Sequence, residues 1–273
     1  TYTLTTSETI PSNITLKVER GAVIGGAGTL TIQGAEFVQP EWWYSGTGSY
    51  HTAINKAAAS AKSIKLSSKT YTITSPIQLT TGNEIYGNGV SSVIQNTTSG
   101  SDTIQILGLV GTPYPDVKIH DFKIISTADS GSDIIDADYS NNLQVYNMHF
   151  DTGDKGVLLS YCHNASIKNN YMTDIQTGIS PNYSNYVKTV NNHVENGEVS
   201  WPGTGSGIVY YYSENGVIDG NTVYNPGDDG IVVNFDSIDA VISNNNISTT
   251  GRYGMIVDNG SLGSRIVGNK VDN

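Results

Sequence analysis

Two carboxyls stand side by side in Gly227-Asp228-Asp229-Gly230-Ile231, and a guanidinium and a phenol follow at Arg252-Tyr253. Hydrolysis of a glycosidic bond needs a pair of carboxyls flanking it, one as acid and one as base or nucleophile. Elimination at a uronide needs a base at C5 and a partner that neutralises the sugar carboxylate. Asp228 and Asp229 are therefore candidate acid/base groups, and Arg252 and Tyr253 candidate positioning or activating groups, provided the chain brings them together. The same doublet is good turn chemistry, with Arg252 as its ion partner. Both readings stand at the level of sequence.

A repeat supplies the means of bringing them together. Asp121, Asn147, Asn170, Asn192, Asn221, Asn245 and Asn269 form a column with steps of 26, 23, 22, 29, 24 and 24 residues. A second column, Gly156-Val157, Gly178-Ile179, Gly207-Ile208, Gly230-Ile231 and Gly254-Met255, steps by 22, 29, 23 and 24. Two columns that keep phase through one 29-residue step are hard to obtain by chance. Such a period points to a solenoid. Each copy holds short runs of apolar alternation between Gly, Asn, Asp and Ser, and no copy holds an amphipathic stretch of helical length. The expected fold is all-β, a right-handed single-stranded parallel β-helix. Asn suits its turns by tolerating left-handed backbone and by stacking its amides. Asp154-Lys155, Gln176-Thr177, Gly205-Ser206, Asp228-Asp229 and Arg252-Tyr253 then occupy one turn on successive coils, about 5 Å apart.

Residues 1–40 read as a β lead-in with strands at Tyr2–Leu4, Ile14–Val18 and Thr29–Ile32, and residues 41–273 as the solenoid. Pro40-Glu41-Trp42-Trp43 punctuates the two, either as a sugar platform or as a hydrophobic plug. Ser49–Lys62 is the one helical stretch, with Ser49 or Thr52 as cap and an apolar face of Ala53, Ile54, Ala57, Ala58 and Ala61. It predicts an N-terminal capping helix that covers the first coil's open edge. This order, followed by Ile64-Lys65-Leu66-Ser67-Ser68-Lys69-Thr70-Tyr71 and Ile85-Tyr86-Gly87-Asn88-Gly89, resembles the pectate-lyase-like β-helix superfamily of phage tailspikes and secreted polysaccharide lyases, hydrolases and epimerases. The resemblance spans about residues 38–273. Many members carry Asp-Asp-Thr before the capping helix, where this chain has Gly48-Ser49-Tyr50-His51-Thr52. Gly227-Asp228-Asp229 is similar to the Gly-Asp-Asp of polygalacturonases. Thr204-Gly205-Ser206 stands where that family has Asn-Thr-Asp, Arg252-Tyr253-Gly254 where it has Gly-His-Gly, and Arg265-Ile266-Val267 where it has Arg-Ile-Lys.

The resemblance implies a polysaccharide partner and an extracellular place: secreted, cell-surface or virion-borne. Further candidates for contacting a glycan are Trp201, on the insertion 195–203, Tyr210 or Tyr211, whose side chains alternate in facing, and Lys155. Tyr139, Tyr161, Tyr183, Tyr212 and Phe235 form an aromatic column, read either as an internal stack or as an external stripe. Calcium is a second reading of Asp133, Asp136 and Asp138, or of Asp236 and Asp258. His120, His149, His163 and His193 lack zinc-ligand spacing and read as surface or ladder residues. Cys162, the single cysteine, reads as a small buried filler.

Net charge −11 opposes nucleic-acid binding. With 37% hydrophobic residues and mean hydropathy −0.24, no apolar run approaches a membrane span. The start at Thr1 and the stop in mid-coil at Asn273 read as those of a mature or trimmed fragment, with further native chain or a subunit contact, such as a homotrimer, expected at the last coil. From another class comes a non-catalytic rod: an adhesin, tail-fibre segment or surface-layer piece that binds glycan without cutting it.

Overall fold

The computed structural model describes residues 1–19, 22–34, 36–127, 131–195 and 205–272. From Ser63 onward the chain winds as a parallel β-solenoid, each coil laying three strands on those of the coil before. Val217–Asp219, Val241–Ser243 and Arg265–Val267 stack in the first sheet. Thr222–Tyr224, Asn246–Ser248 and Lys270–Asp272 stack in the second. Ile208–Tyr211, Ile231–Asn234 and Met255–Val257 stack in the third. Inward residues of all three, such as Ile218, Val223 and Ile231, are fully buried, while outward ones are mixed, polar at Asp219 and Thr222 but apolar at Val217 and Val232. A period of two along each strand is what sorts them.

The turn from first to second strand splits one expected column into two. Asp121, Asn147, Asn169, Asn191, Gly220, Asn244 and Gly268 hold the left-handed backbone, with φ between 53° and 67°. One residue later, Asn170, Asn192, Asn221, Asn245 and Asn269 turn inward and form an amide ladder, each Nδ2 donating to the next Oδ1 at 2.9–3.0 Å. Each Oδ1 also accepts the backbone N–H of the residue one coil below, as Asn221 does from Asn192. The expected column therefore joined Asp121 and Asn147 to the wrong neighbours. Sterics place Asn at the first position and buried amide pairing at the second.

Glycine in the other column is dictated by packing. A Cβ on Gly207 would lie 2.4 Å from Val223 and 2.6 Å from the Gly230 carbonyl, and Gly178 and Gly230 are as tight. At the turn from third to first strand, Tyr139, Tyr161, Tyr183, Tyr212 and Phe235 all take left-handed backbone, with φ of 48–56°. Their rings lie outside the core and stack at 4.6–5.4 Å, within 16° of parallel. The column is thus the external one. Beneath it Ser140, Cys162, Ser184, Ser213 and Ser237 make a ladder in which the Sγ or Oγ of each of the last four accepts the backbone N–H one coil below. Cys162 fills a serine's place there. Burial pushes its thiol up to about 12.

The N-terminal strands differ in part from expectation. Tyr2–Leu4 pairs with Ile24–Gly26 and Glu8–Ile10 with Leu30–Ile32, both parallel, while Ile14–Val18 is not a strand. The helix runs His51–Ser60, and Ala53, Ile54, Ala57 and Ala58 face the core. Ser49 Oγ accepts the His51 N–H at its start. Asn55 Oδ1 accepts the Gln78 N–H, and the Asn83 amide donates to the Ala58 carbonyl. Those bonds fasten the helix over the first coil as a lid. Trp43 is buried in the core, so the plug reading holds for it, while Trp42 is only partly covered.

Candidate functional site

The turn between second and third strands carries the carboxyl doublet. Because Asp228 N–H donates to the Gly205 carbonyl and Arg252 N–H to the Asp228 carbonyl, these residues are vertical neighbours. The guanidinium of Arg252 bridges both acids of the coil before it. Nε lies 2.9 Å from Asp228 Oδ1 and 3.1 Å from Asp229 Oδ1, and Nη2 lies 3.2 Å from Asp228 Oδ2 and 2.5 Å from Asp229 Oδ2. The Tyr253 backbone N–H also donates to Asp229 Oδ1, and the Arg252 guanidinium stands 5.4 Å from the Tyr253 ring centre.

The two acids are unequal. The Asp229 side chain is 3% exposed, against 42% for Asp228 and 53% for Arg252. The hydrogen bond it donates to Asp229 and the charges of both carboxylates hold Arg252 even more firmly protonated than usual. Two carboxylates and one guanidinium leave the cluster net negative. Tyr211, half-buried in the third sheet, belongs to the same patch. Burial first, then the Asp229 and Asp228 charges, raise its phenol above the ordinary range, with Arg252 opposing.

Other expected residues lie elsewhere. Tyr210 is fully buried, its hydroxyl 2.8 Å from Thr189 Oγ1, so it cannot meet a ligand without unpacking the core. It points inward because Gly216 makes room: a Cβ there would stand 2.4 Å from the Tyr210 ring. Trp201 and residues 196–203 of its insertion lie outside the described residues. Lys155 shares the stripe but not the patch, since Thr177 and Ser206 intervene before Asp229, or roughly 14 Å of stacked strands. Its ammonium is held by Asp133 at 3.2 Å and Asp154 at 3.5 Å. Burial alone would lower its proton affinity, and those two carboxylates reverse the effect. The inner rings of the external aromatic column do not offer free faces. Tyr161, Tyr183 and Tyr212 are stacked on both sides, which leaves only edges and hydroxyls for a sugar.

One group escaped sequence reading as a titrating residue. Asp136 faces outward on Ile135–Asp138, and burial, with Asp138, Asp102 and Asp133 nearby, raises its carboxyl to about 7 despite Lys155. The alternation Asp136-Ala137-Asp138 on a third-sheet strand was the available signal. Among the described residues no three His, Cys, Asp or Glu side chains are grouped to hold a metal ion, so the calcium reading of Asp133, Asp136 and Asp138 finds no support. His120 stacks between Tyr86 and Tyr146, and His193 on Tyr171, as ladder residues. No helix among the described residues is long and apolar enough to cross a membrane.

Coils, ladders and capping helix define a parallel β-helix protein with a charged turn on its flank. The chain belongs to the right-handed β-helix family, whose model, described as a right handed beta helix region, matches residues 133–273. No curated protein sequence matches it. Among solved structures it is similar to the catalytic unit of a GH87 α-1,3-glucanase from Streptomyces thermodiastaticus, with TM-score 0.68 and 19% identity over 87% of this chain and 48% of that one. It is also similar to the tailspike of E. coli bacteriophage HK620 in complex with a hexasaccharide, with TM-score 0.63 and 12% identity over 82% and 53%. The Streptococcus pneumoniae surface protein and adhesin PfbA gives TM-score 0.54 and 12% identity over 87% and 97%. The chain thus spans about half the length of the glucanase and tailspike chains. At these identities the likeness is one of fold.

Proposed function

We propose that this chain is an extracellular or virion-borne β-helix that binds a polysaccharide along its third sheet and hydrolyses it at the Asp228 turn. The observation that carries the reading is the Arg252 fork, which orients the solvent-accessible Asp228 carboxylate from the coil above. Asp228 takes a proton from water as the water oxygen attacks the anomeric carbon, and the Tyr211 phenol, kept protonated by burial and by the two carboxylates, gives one to the leaving oxygen. Asp229 and Arg252 act as positioning groups, and Tyr253 borders the substrate. Hydrolysis is favoured over elimination because the cluster is net negative. Asp133, Asp138 and Asp154 extend that charge along the stripe against Lys155, and Asp136 joins them only as its raised carboxyl ionises, so a uronate would meet repulsion. The substrate class is a neutral glycan. Likeness in fold to a glucanase and to a hexasaccharide-binding tailspike supports the reading. The test is release of reducing ends from neutral glucans and mannans: growth with the parent chain and its loss in Asp228→Asn support it, and equal turnover removes the assignment.

One observation favours a second reading, a glycan-binding rod without catalysis. Both oxygens of Asp229 and both of Asp228 already face Arg252, as in a purely structural turn. Glycan binding by the parent chain with no reducing-end growth on any polymer would establish it.

A further inference from the structure

The first sheet carries the opposite charge to the third. Stacking in register places Lys65, Tyr86, His120, Tyr146 and Lys168 in one outward row on successive coils. Lys118, Lys188 and Arg265 stand in the neighbouring outward row of the same sheet. From Lys65 to Arg265 the strip runs roughly 40 Å along the rod at the spacing of stacked strands. Elsewhere Lys69, Lys123, Lys155 and Arg252 each meet a carboxylate at close range. On this strip Lys65, Lys168, Lys188 and Arg265 have no ion partner among the described residues, and Lys118 reaches Glu84 only at 3.8 Å. The carboxylates nearby are engaged, Glu84 and Asp121 by His120, and Asp219 by Ser243 and Asn244. In a chain of net charge −11, unpaired cations gathered on one face create a local positive field.

Aromatic rings hold two of these cations in place. Lys65 Nζ stands 4.8 Å from the Phe37 ring centre, and Lys168 Nζ 5.4 Å from that of Tyr146. Such contacts steady an ammonium group and leave its N–H donors for an oxygen acceptor. The same rings select among anions. Nucleic acid gains from bases stacked on ring faces. Here His120 covers one face each of Tyr86 and Tyr146, with ring centres 5.4 and 4.4 Å away, and Lys65 and Lys168 lie over those rings as well. A protein partner needs an apolar anchor, and the outward rows from Lys65 to Lys188 expose no large apolar side chain. Carboxylates are matched best by the planar fork of arginine, whereas lysine is a point donor suited to phosphate oxygens. From Lys65 to Lys188 every cation of the strip is a lysine. A phosphodiester chain of polyols has no rings to stack, and its hydroxyls can meet Gln144 and Ser166, which face outward in the same sheet.

We propose that the first sheet binds a linear phosphodiester polymer of polyols, laid along the rod with its phosphates on Lys65, Lys118, Lys168 and Lys188. The acidic third-sheet stripe repels the same polymer, so this face acts apart from the Asp228 turn, whatever that turn cleaves. Calorimetric titration of the intact chain with polyglycerol phosphate tests it, with oligothymidylate, polygalacturonate and phosphatidylglycerol vesicles in parallel. Binding of polyglycerol phosphate that weakens with added salt is expected. Lys168→Gln combined with Lys188→Gln should weaken it at least about tenfold, since two charge-assisted hydrogen bonds are lost. Lys17→Gln combined with Lys56→Gln makes the same change in net charge away from the strip and should leave binding unchanged. No binding, equal losses in both double variants, or tighter binding of oligothymidylate, polygalacturonate or vesicles would overturn the proposal. Should the Lys168 and Lys188 variant melt early, Lys188→Glu alone, at an exposed position, should give the same loss. Retained affinity there refutes the face.

Discussion

Arg252 and Asp229, separated by one coil, meet through two contacts: Nε to Oδ1 at 3.1 Å and Nη2 to Oδ2 at 2.5 Å. A half-exposed guanidinium thereby caps an almost fully buried carboxylate and reaches its exposed neighbour Asp228 with the same two nitrogens. That fork fixes the carboxylate of Asp228 in place.

Arg252→Lys tests the fork. A lysine carries the charge but, as a point donor, cannot span two carboxylates in a fixed plane. The folded chain should persist with a lower melting midpoint, and reducing-end release should fall about tenfold or more, as misplaced catalytic groups do. Unchanged release would separate the fork from catalysis.

The amide ladder predicts a contrast between two asparagines. Asn221→Ala removes the acceptor of the Asn192 backbone and side-chain N–H groups inside the core, and should cost about 2–4 kcal/mol. Asn147→Ala touches an exposed turn whose amide reaches only Asp121, and should cost under about 1 kcal/mol. Urea midpoints of the two variants measure the difference.

Cys162 sits where other coils have serine. Cys162→Ser should leave stability within about 1 kcal/mol, since the hydroxyl can accept the Ser140 N–H as the sulfur does. Burial keeps the thiol protonated, so a thiol-specific reagent at pH 8 should label it only after denaturation.

Asp136 sets a pH dependence. Below about 4 it is protonated whether folded or unfolded, and it contributes nothing. Between there and its folded value of about 7 the unfolded chain loses the proton first, so stability falls as pH rises. Asp136→Asn should therefore raise the melting midpoint at pH 8 and leave it unchanged near pH 3, a gain of roughly 1–2 kcal/mol once solvent screening is allowed for. An equal effect at both pH values would contradict the cause given.

Phase was legible in the sequence because sterics enforce it. A Cβ at Gly207 or Gly230 collides with the next coil, so glycine recurs. Adjacent asparagines hid the division of labour at the other turn. Asn169 and Asn170 have the same composition but opposite tasks, and only coil pairing tells which of them aligns with Asn147. Tyr210 needed a compensating partner to be placed, and that partner, Gly216, stands at the position of Ala165, Val187 and Ala240 in neighbouring coils. Vertical proximity of Asp228 to Arg252 was legible from spacing, whereas the inequality of Asp228 and Asp229 was not, because exposure at a turn depends on the coil above.

The most direct measurement follows product from neutral glucans and mannans in parallel with a uronate polymer, for the parent chain and Asp228→Asn. Reducing ends from a neutral polymer, no absorbance of unsaturated uronate ends, and a loss of about 100-fold or more in the variant are predicted. Unsaturated ends from the uronate polymer, or a variant as active as its parent, would contradict hydrolysis at Asp228.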